Sequence, residues 1–152
     1  YGHYQWMVPG QISTPGAIKT QTFDALQRPI SIEVKSQTSN SQGNHTAQRL
    51  MSRLYQYDQA GNITQIKSEL GQTDYGYDNL SRLTSAQPDQ NLQALGLPAE
   101  QYSYDPVHNR TSSGHQPGAW SYNADNQLTQ YPYLKPFSPG SQPVDTTVSY
   151  TA

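Results

Sequence analysis

The feature that most constrains this chain is a motif that returns along it: Tyr55-Gln56-Tyr57-Asp58-Gln59-Ala60-Gly61-Asn62-Ile63-Thr64, then Tyr75-Gly76-Tyr77-Asp78-Asn79-Leu80-Ser81-Arg82-Leu83-Thr84. Tyr102 to Thr111 and Trp120 to Thr129 continue the series, and Thr22-Phe23-Asp24-Ala25-Leu26-Gln27-Arg28-Pro29-Ile30 is a degenerate earlier copy. From Tyr57 to Tyr77, Tyr104 and Tyr122 the steps are roughly 18 to 27 residues, near the short end of known repeat periods. A chain built this way stacks small units side by side instead of enclosing one centre.

Each position of the motif has a mechanical meaning. Residues two apart in a strand share a face, so Tyr55 with Tyr57, Tyr75 with Tyr77, Tyr102 with Tyr104 and Trp120 with Tyr122 each offer an aromatic pair to one side. Asp58, Asp78 and Asp105, with Asn123 in the last copy, end the strand, because a short Asx side chain bonds backbone amides two residues on and starts a turn. Three places later stand Gly61, Ser81, His108 and Asn126, where the chain reverses; Gly and Asn are the best left-handed formers. Ile63-Thr64, Leu83-Thr84 and Leu128-Thr129 then open a return strand. Strand, turn and return strand make a β-hairpin. One hairpin is marginal in water, so the copies are expected to line up edge to edge, each stacking its tyrosines on the next copy's.

Composition agrees with a sheet more than a ball. Hydrophobic residues make up only 33% of the 152, and the mean hydropathy is −0.84, too little for a thick core. Disorder is disfavoured, since charge is 13%, net charge −2 and aromatics 11%, with 12 tyrosines able to bury ring area while keeping the hydroxyl wet. The near-neutral balance gives no footprint for nucleic acid, and no apolar run is long enough for membrane insertion. Without cysteine there are no disulfides and no cysteine-based zinc site. The opening Tyr1-Gly2-His3-Tyr4 carries no initiator Met or signal-peptide pattern, and Val148 to Ala152 reads like the first strand of a further copy, so an internal fragment is expected.

Between copies, Pro88 to Pro98 has an Asp start signal followed by Gly and Pro stop signals, which predicts a short helical turn. Tyr131 to Gly140 is too Pro-rich for regular structure and reads as an extended surface loop, and Gln37 to Gln48 as a polar loop with little order. The segment 1–21 reads as leading strands of unclear register, and 22–152 as the repeat array with insertions near 37–48, 88–98 and 131–145.

The stretch Tyr55 to Thr64 closely resembles the YD, or Rhs, repeat of bacterial Rhs toxins, the B and C components of Tc insecticidal toxins and the YD barrel of teneurins. That resemblance implies an all-β fold of antiparallel hairpins forming part of a spiral sheet or hollow shell. It implies a secreted or exported bacterial protein whose partners are neighbouring repeats of a longer chain and an enclosed toxin polypeptide. That class often carries an Asp-Pro-x-Gly-Leu cleavage segment. Asp105-Pro106-Val107-His108-Asn109 shares only Asp-Pro with it and sits inside an ordinary repeat, so it reads as a turn.

Catalytic patterns were weighed and set aside. There is no Gly-x-Ser-x-Gly elbow, and His3, His45, His108 and His115 are scattered without a second ligand at metal spacing. Asp58, Asp78 and Asp105 could be imagined as glycosidase carboxylates, but turn formation already explains their placement. Asn123 to Asn126 lacks the Gly and distal Glu of a calcium loop. Sequons beginning at Asn44, Asn62, Asn79 and Asn109 matter only in a eukaryotic secretory host. The reading is therefore a non-enzyme without metal or cofactor. Its structural repeat residues are Tyr55, Tyr57, Asp58, Gly61, Tyr75, Tyr77, Asp78, Tyr102, Tyr104, Asp105, Trp120 and Tyr122. A carbohydrate-binding or cell-adhesion aromatic module is the rival; it would leave its rings exposed in grooves.

Overall fold

A computed structural model describes residues 2–5, 8–39, 45–114, 118–133 and 144–147. Trp6, Met7, Asn44, His115, the Pro-rich stretch 134–143 and the terminal 148–152 lie outside the described residues. The chain divides into two compact units, Tyr1–Asp74 with Pro88–Leu95, and Tyr75–Gln87 with Gly96–Ala152. Both are built of antiparallel strands, as an all-β repeat requires.

The first unit contains β1 (Gly2–Gln5), β2 (Val8–Thr14), β3 (Ala17–Phe23), β4 (Pro29–Ser36), β5 (Thr38–Ser39), β6 (His45–Thr46), β7 (Arg49–Tyr57), β8 (Ile63–Ser68) and the start of β9 (Gln72–Tyr77). Its strand order is β1-β2-β3-β4-β7-β8-β9, so neighbours in the sheet are neighbours in sequence once β5 and β6 are set aside. Contacts of this kind are local, which suits a chain with little apolar material. The described part of the leading segment, of unclear register from sequence, is paired strand, with Gly2 opposite Gln11 and Gln11 opposite Thr20.

The cross-strand register sorts side chains by face. Ile32 lies opposite Arg53, Val34 opposite Met51 and Tyr55 opposite Ile66, so these share one side of the sheet. Glu33 opposite Ser52, Leu54 opposite Lys67 and Gln65 opposite Asp74 occupy the other, largely polar side. The apolar side chains Ile32, Val34, Met51, Tyr55 and Ile66 are all only half-buried. Among the described residues, the covered hydrophobic side chains are Leu92, at 8% exposure, and the prolines Pro88 and Pro132. Stability must accumulate from cross-strand pairs of roughly 0.2–1 kcal/mol each, without a deep core.

Helix α1 (Gln90–Ala94) stands where the start and stop signals place it. The Asp89 carboxylate accepts from Leu92 N at 3.0 Å as an N-cap and from Gln72 N at 2.9 Å, tying the helix to the turn before β9. Gly71 is required there: a Cβ would lie 2.5 Å from Asp89 Oδ1 and 2.7 Å from Leu92 Cγ.

The second unit holds β10 (Leu83–Pro88), β11 (Glu100–Tyr104), β12 (Arg110–Ser113), β13 (Ser121–Tyr122), β14 (Leu128–Tyr133) and β15 (Val144–Thr147). Here β10 pairs with β11, β11 with β12, and β13-β14-β15 form a three-stranded sheet.

Two expectations need correction. The segment 37–48 is not a loop throughout, because β5 and β6 pair Thr38 with Thr46 and Ser39 with His45. Ser36 N donates to Gln48 O at 2.7 Å, and this closure brings the polar ends together at small further entropic cost. Nor is Tyr131 to Tyr133 loop: these residues lie in β14, with Tyr131 opposite Thr146 and Pro132 opposite Asp145. Pro132 is fully buried, and a Cβ on Gly118 would lie 2.8 Å from its Cβ; its ring fills a gap that glycine leaves open. Packing against Gly118 and pairing with β15 outweigh one missing donor.

Candidate functional site

The repeated unit of this molecule is a turn, and five copies of it share the same backbone bonds. In each, the amide of the leading Asx donates to the carbonyl four residues on: Asp24 to Arg28, Asp58 to Asn62, Asp78 to Arg82, Asp105 to Asn109 and Asn123 to Gln127, all at 2.9–3.0 Å. The amide three residues on donates back to the Asx carbonyl at 3.0–3.2 Å, from Gln27, Gly61, Ser81, His108 and Asn126. Those five residues carry positive φ, at 63°, 93°, 58°, 73° and 59°. This is a three-residue hairpin loop: a type I turn followed by a left-handed residue.

The Asx side chain locks the loop from inside. Oδ1 of Asp24, Asp78, Asp105 and Asn123 accepts from the amides two and four places on, and Asp58 Oδ1 accepts from Asn62 N at 2.8 Å. Oδ2 accepts from the side chain four places on: Arg28 Nε at 2.7 Å, Asn62 Nδ2 at 2.9 Å, Arg82 Nε at 2.7 Å and Asn109 Nδ2 at 2.9 Å. In the last copy the polarity reverses, with Asn123 Nδ2 donating to Gln127 Oε1 at 2.8 Å.

These contacts hold the carboxyls below their ordinary range. For Asp24 and Asp78 the backbone N–H of the Arg four places on contributes most, and its guanidinium adds to it. The Asn62 side chain does most for Asp58. At Asp105 desolvation, pushing upward, is the largest single effect, and the bonds from Asn109 and Val107 together outweigh it.

Directly after the turns at Asp24, Asp58, Asp105 and Asn123, the return strand carries one extra residue. Phe23 faces Pro29 while Thr22 faces Ser31; Tyr57 faces Ile63 while Gln56 faces Gln65. Tyr104 faces Arg110 while Ser103 faces Ser112, and Tyr122 faces Leu128 while Ser121 faces Gln130. The bulged residues are therefore Ile30, Thr64, Thr111 and Thr129, all six places after the Asx. A bulge at a fixed position bends and twists these four hairpins alike.

The residues named from the sequence fall where the motif places them. Tyr55 and Tyr57 lie on β7, Tyr75 and Tyr77 on β9, Tyr102 and Tyr104 on β11, and Tyr122 on β13; Trp120 stands just before β13. All eight rings are half-buried. The ring that precedes the Asx uses its hydroxyl as well as its face. Tyr57 Oη donates to Pro29 O at 2.8 Å, Tyr104 Oη to Leu83 O at 2.7 Å and Tyr122 Oη to Arg110 O at 2.8 Å. Each acceptor lies five places after the Asx of the preceding copy. Desolvation raises the Tyr57 and Tyr122 phenols above their usual range, which favours the protonated, donating form.

Arginine, which the sequence reading passed over, covers the rings. The Arg28 guanidinium sits 4.4 Å from the centre of the Tyr57 ring, Arg82 4.8 Å from Tyr104, and Arg110 4.1 Å from Trp120 and 5.6 Å from Tyr102. Trp120 and Tyr131 also meet, at 5.9 Å between ring centres. Among the described residues, the links between successive copies include arginine on ring and phenol on carbonyl, where tyrosine on tyrosine was expected. A signal for this was present: Arg28, Arg82, Asn62, Asn109 and Gln127 all stand four places after an Asx. Two polar atoms, Gln27 Oε1 and Trp120 Nε1, are buried without a partner among the described residues.

No three His, Asp or Glu side chains converge on a metal-sized site among the described residues, and no helix there is long and apolar enough to cross a membrane. Comparison with known families matches residues 57–91 to the RHS Repeat. That span begins at the tyrosine before one turn, contains the whole of the next, and ends within α1. No curated protein matches the chain.

Proposed function

We propose, from the premise that this is a chain of RHS repeats, that it serves as a wall segment of a shell that encloses or presents another polypeptide. The proposed protein is a secreted bacterial toxin or polymorphic effector, and the segment does its work by shape instead of catalysis. One observation carries this reading: the same turn in five hairpins, followed in four of them by the same one-residue bulge. Repeated identical bends make a sheet curve steadily, and a steadily curving sheet can surround a volume. The division of faces in the first unit supports it, since one side is polar and the other presents half-buried Ile32, Val34, Met51, Tyr55 and Ile66. A wall of this type offers water one surface and an unfolded chain the other.

The carbohydrate-binding alternative fares less well. Tyr57, Tyr104 and Tyr122 spend their hydroxyls on backbone carbonyls, and arginines cover the Tyr57 and Tyr104 faces that a sugar would stack against.

The test is proteolytic protection in the parental protein, expressed with the polypeptide that its reading frame encodes beyond the repeats. In the proposed shell, that polypeptide is digested far more slowly when the repeats are native than when Tyr104→Ala has loosened them. Equal rates in both, with the repeats shown to be folded in the first, would overturn enclosure.

A further inference from the structure

The residue four places after the turn Asx does more than neutralise its own carboxylate. Arg28 donates Nε to Asp24 Oδ2 at 2.7 Å, points Nη1 at Asp58 O at 3.3 Å, and lays its plane 4.4 Å from the centre of Tyr57. Arg82 repeats all three contacts: Nε to Asp78 Oδ2 at 2.7 Å, Nη1 to Asp105 O at 3.0 Å, and 4.8 Å from the centre of Tyr104. The bridged residues are separated by 30 positions in one case and 23 in the other, so the contact does not depend on the length of the spacer. Among the described residues the arrangement occurs once in each unit.

From this geometry we infer that the residue four places after the Asx is the coupling residue of the array, and that arginine there welds its own hairpin to the next one. The guanidinium suits the task because it is a flat fork: one edge serves its own turn, another reaches the following turn's carbonyl, and the face covers the following ring. The carbonyl it meets belongs to the Asx that accepts the loop's closing bond from the amide three places on, Gly61 or His108, so the arginine polarises the acceptor that holds the next turn shut. Asparagine at the same place also serves its own carboxylate, but an amide has no charge to set against a ring. Where the copy at Asp105 carries Asn109, its Nδ2 makes an ordinary amide contact to Asn126 Oδ1 at 3.1 Å. The two bridges join the Asp24 turn to the Asp58 turn and the Asp78 turn to the Asp105 turn, and a hairpin bridged in this way opens together with its successor. Arg82 and Arg28 act as positioning residues for the following turn.

Native-state amide hydrogen exchange on the full chain tests this, because it reads each turn separately. Arg82→Gln keeps a side chain able to donate to Asp78, yet it should lower protection of the next turn's amides, Val107, His108 and Asn109, by about tenfold. Arg82→Lys retains the charge and loses the fork, and should behave like Arg82→Gln at those amides. In the other direction, Asn109→Arg should raise protection at Asp125, Asn126 and Gln127 while leaving the Asp24 and Asp58 turns as they were. This variant exchanges the amide contacts of Asn109 for those that Arg28 and Arg82 make at the same place, and unchanged protection at the Asp24 and Asp58 turns shows that it has folded. Loss of protection confined to the Asp78 turn in Arg82→Gln, full rescue by lysine, or no gain from Asn109→Arg would each overturn the inference.

Discussion

The turns at Asp78 and at Asn123 have the same backbone and different chemistry. Both close with amide-to-carbonyl bonds of 3.0–3.1 Å and both place a non-glycine residue, Ser81 or Asn126, at φ near 60°. Around Asp78 the side chains form an ion pair that extends to the following hairpin; around Asn123 two neutral amides pair with each other. Hairpin geometry therefore needs only an Asx oxygen facing two amides and a residue willing to turn left-handed. The charge adds something separable, a dependence on pH and a grip on the neighbour.

Acid should break the comparison most sharply. Folding depresses the carboxyls of Asp24, Asp58, Asp78 and Asp105, so their stabilisation is complete above the ordinary carboxyl pKa of about 4 and is lost as pH falls through the lower folded values. Glu33, held down chiefly by Lys35, and Glu69 and Asp89, held down chiefly by backbone amides, lose their contributions in the same direction. Denaturation followed by circular dichroism from pH 7 to pH 2 should show a steep acid limb. Replacing all four turn aspartates by asparagine, as Asn123 already is, should flatten it; an unchanged limb would remove the turns from the acid response.

Among single substitutions at pH 7, Tyr104→Ala should be the most damaging, at about 3 kcal/mol, because it removes a ring and its bond to Leu83 O together. The check is a shifted urea midpoint at constant slope, and a loss under about 0.5 kcal/mol would mark the ring as an ornament of the surface. Gly61→Ala should cost about 1–2 kcal/mol for its left-handed backbone, since a Cβ there meets nothing closer than Arg28 Nη1 at 3.9 Å and sterics with neighbours are not the reason. Tyr104→Phe isolates the phenol and should cost about 1 kcal/mol; Phe23, which precedes the Asp24 turn, has already dispensed with that hydroxyl. Smallest, and opposite in sign, Gln27→Gly should stabilise by about 0.5–1 kcal/mol in thermal unfolding. It relieves a left-handed non-glycine residue and deletes the unpartnered Oε1.

The sequence was most informative where the physics is short-ranged. Turns, hairpins and the helix after Asp89 depend on bonds between residues two to four places apart, and such bonds are written in residue order: an Asx oxygen, a left-handed position and an N-cap each announce themselves. Composition misled where partners lie farther away. Within the Pro-rich stretch, Tyr131 to Tyr133 became strand because pairing with β15 and packing of Pro132 against Gly118 outweigh the missing donor, and the polar 37–48 segment carries paired strands because β4 and β7 hold its ends together.

By itself, then, the sequence determined that this protein is a series of antiparallel hairpins, each opened by an aromatic residue and closed by an Asx turn. Only the tertiary structure decided what joins one hairpin to the next. The Arg28 and Arg82 bridges span 30 and 23 residues, and no local preference encodes a contact whose partner is chosen by the register of a whole sheet.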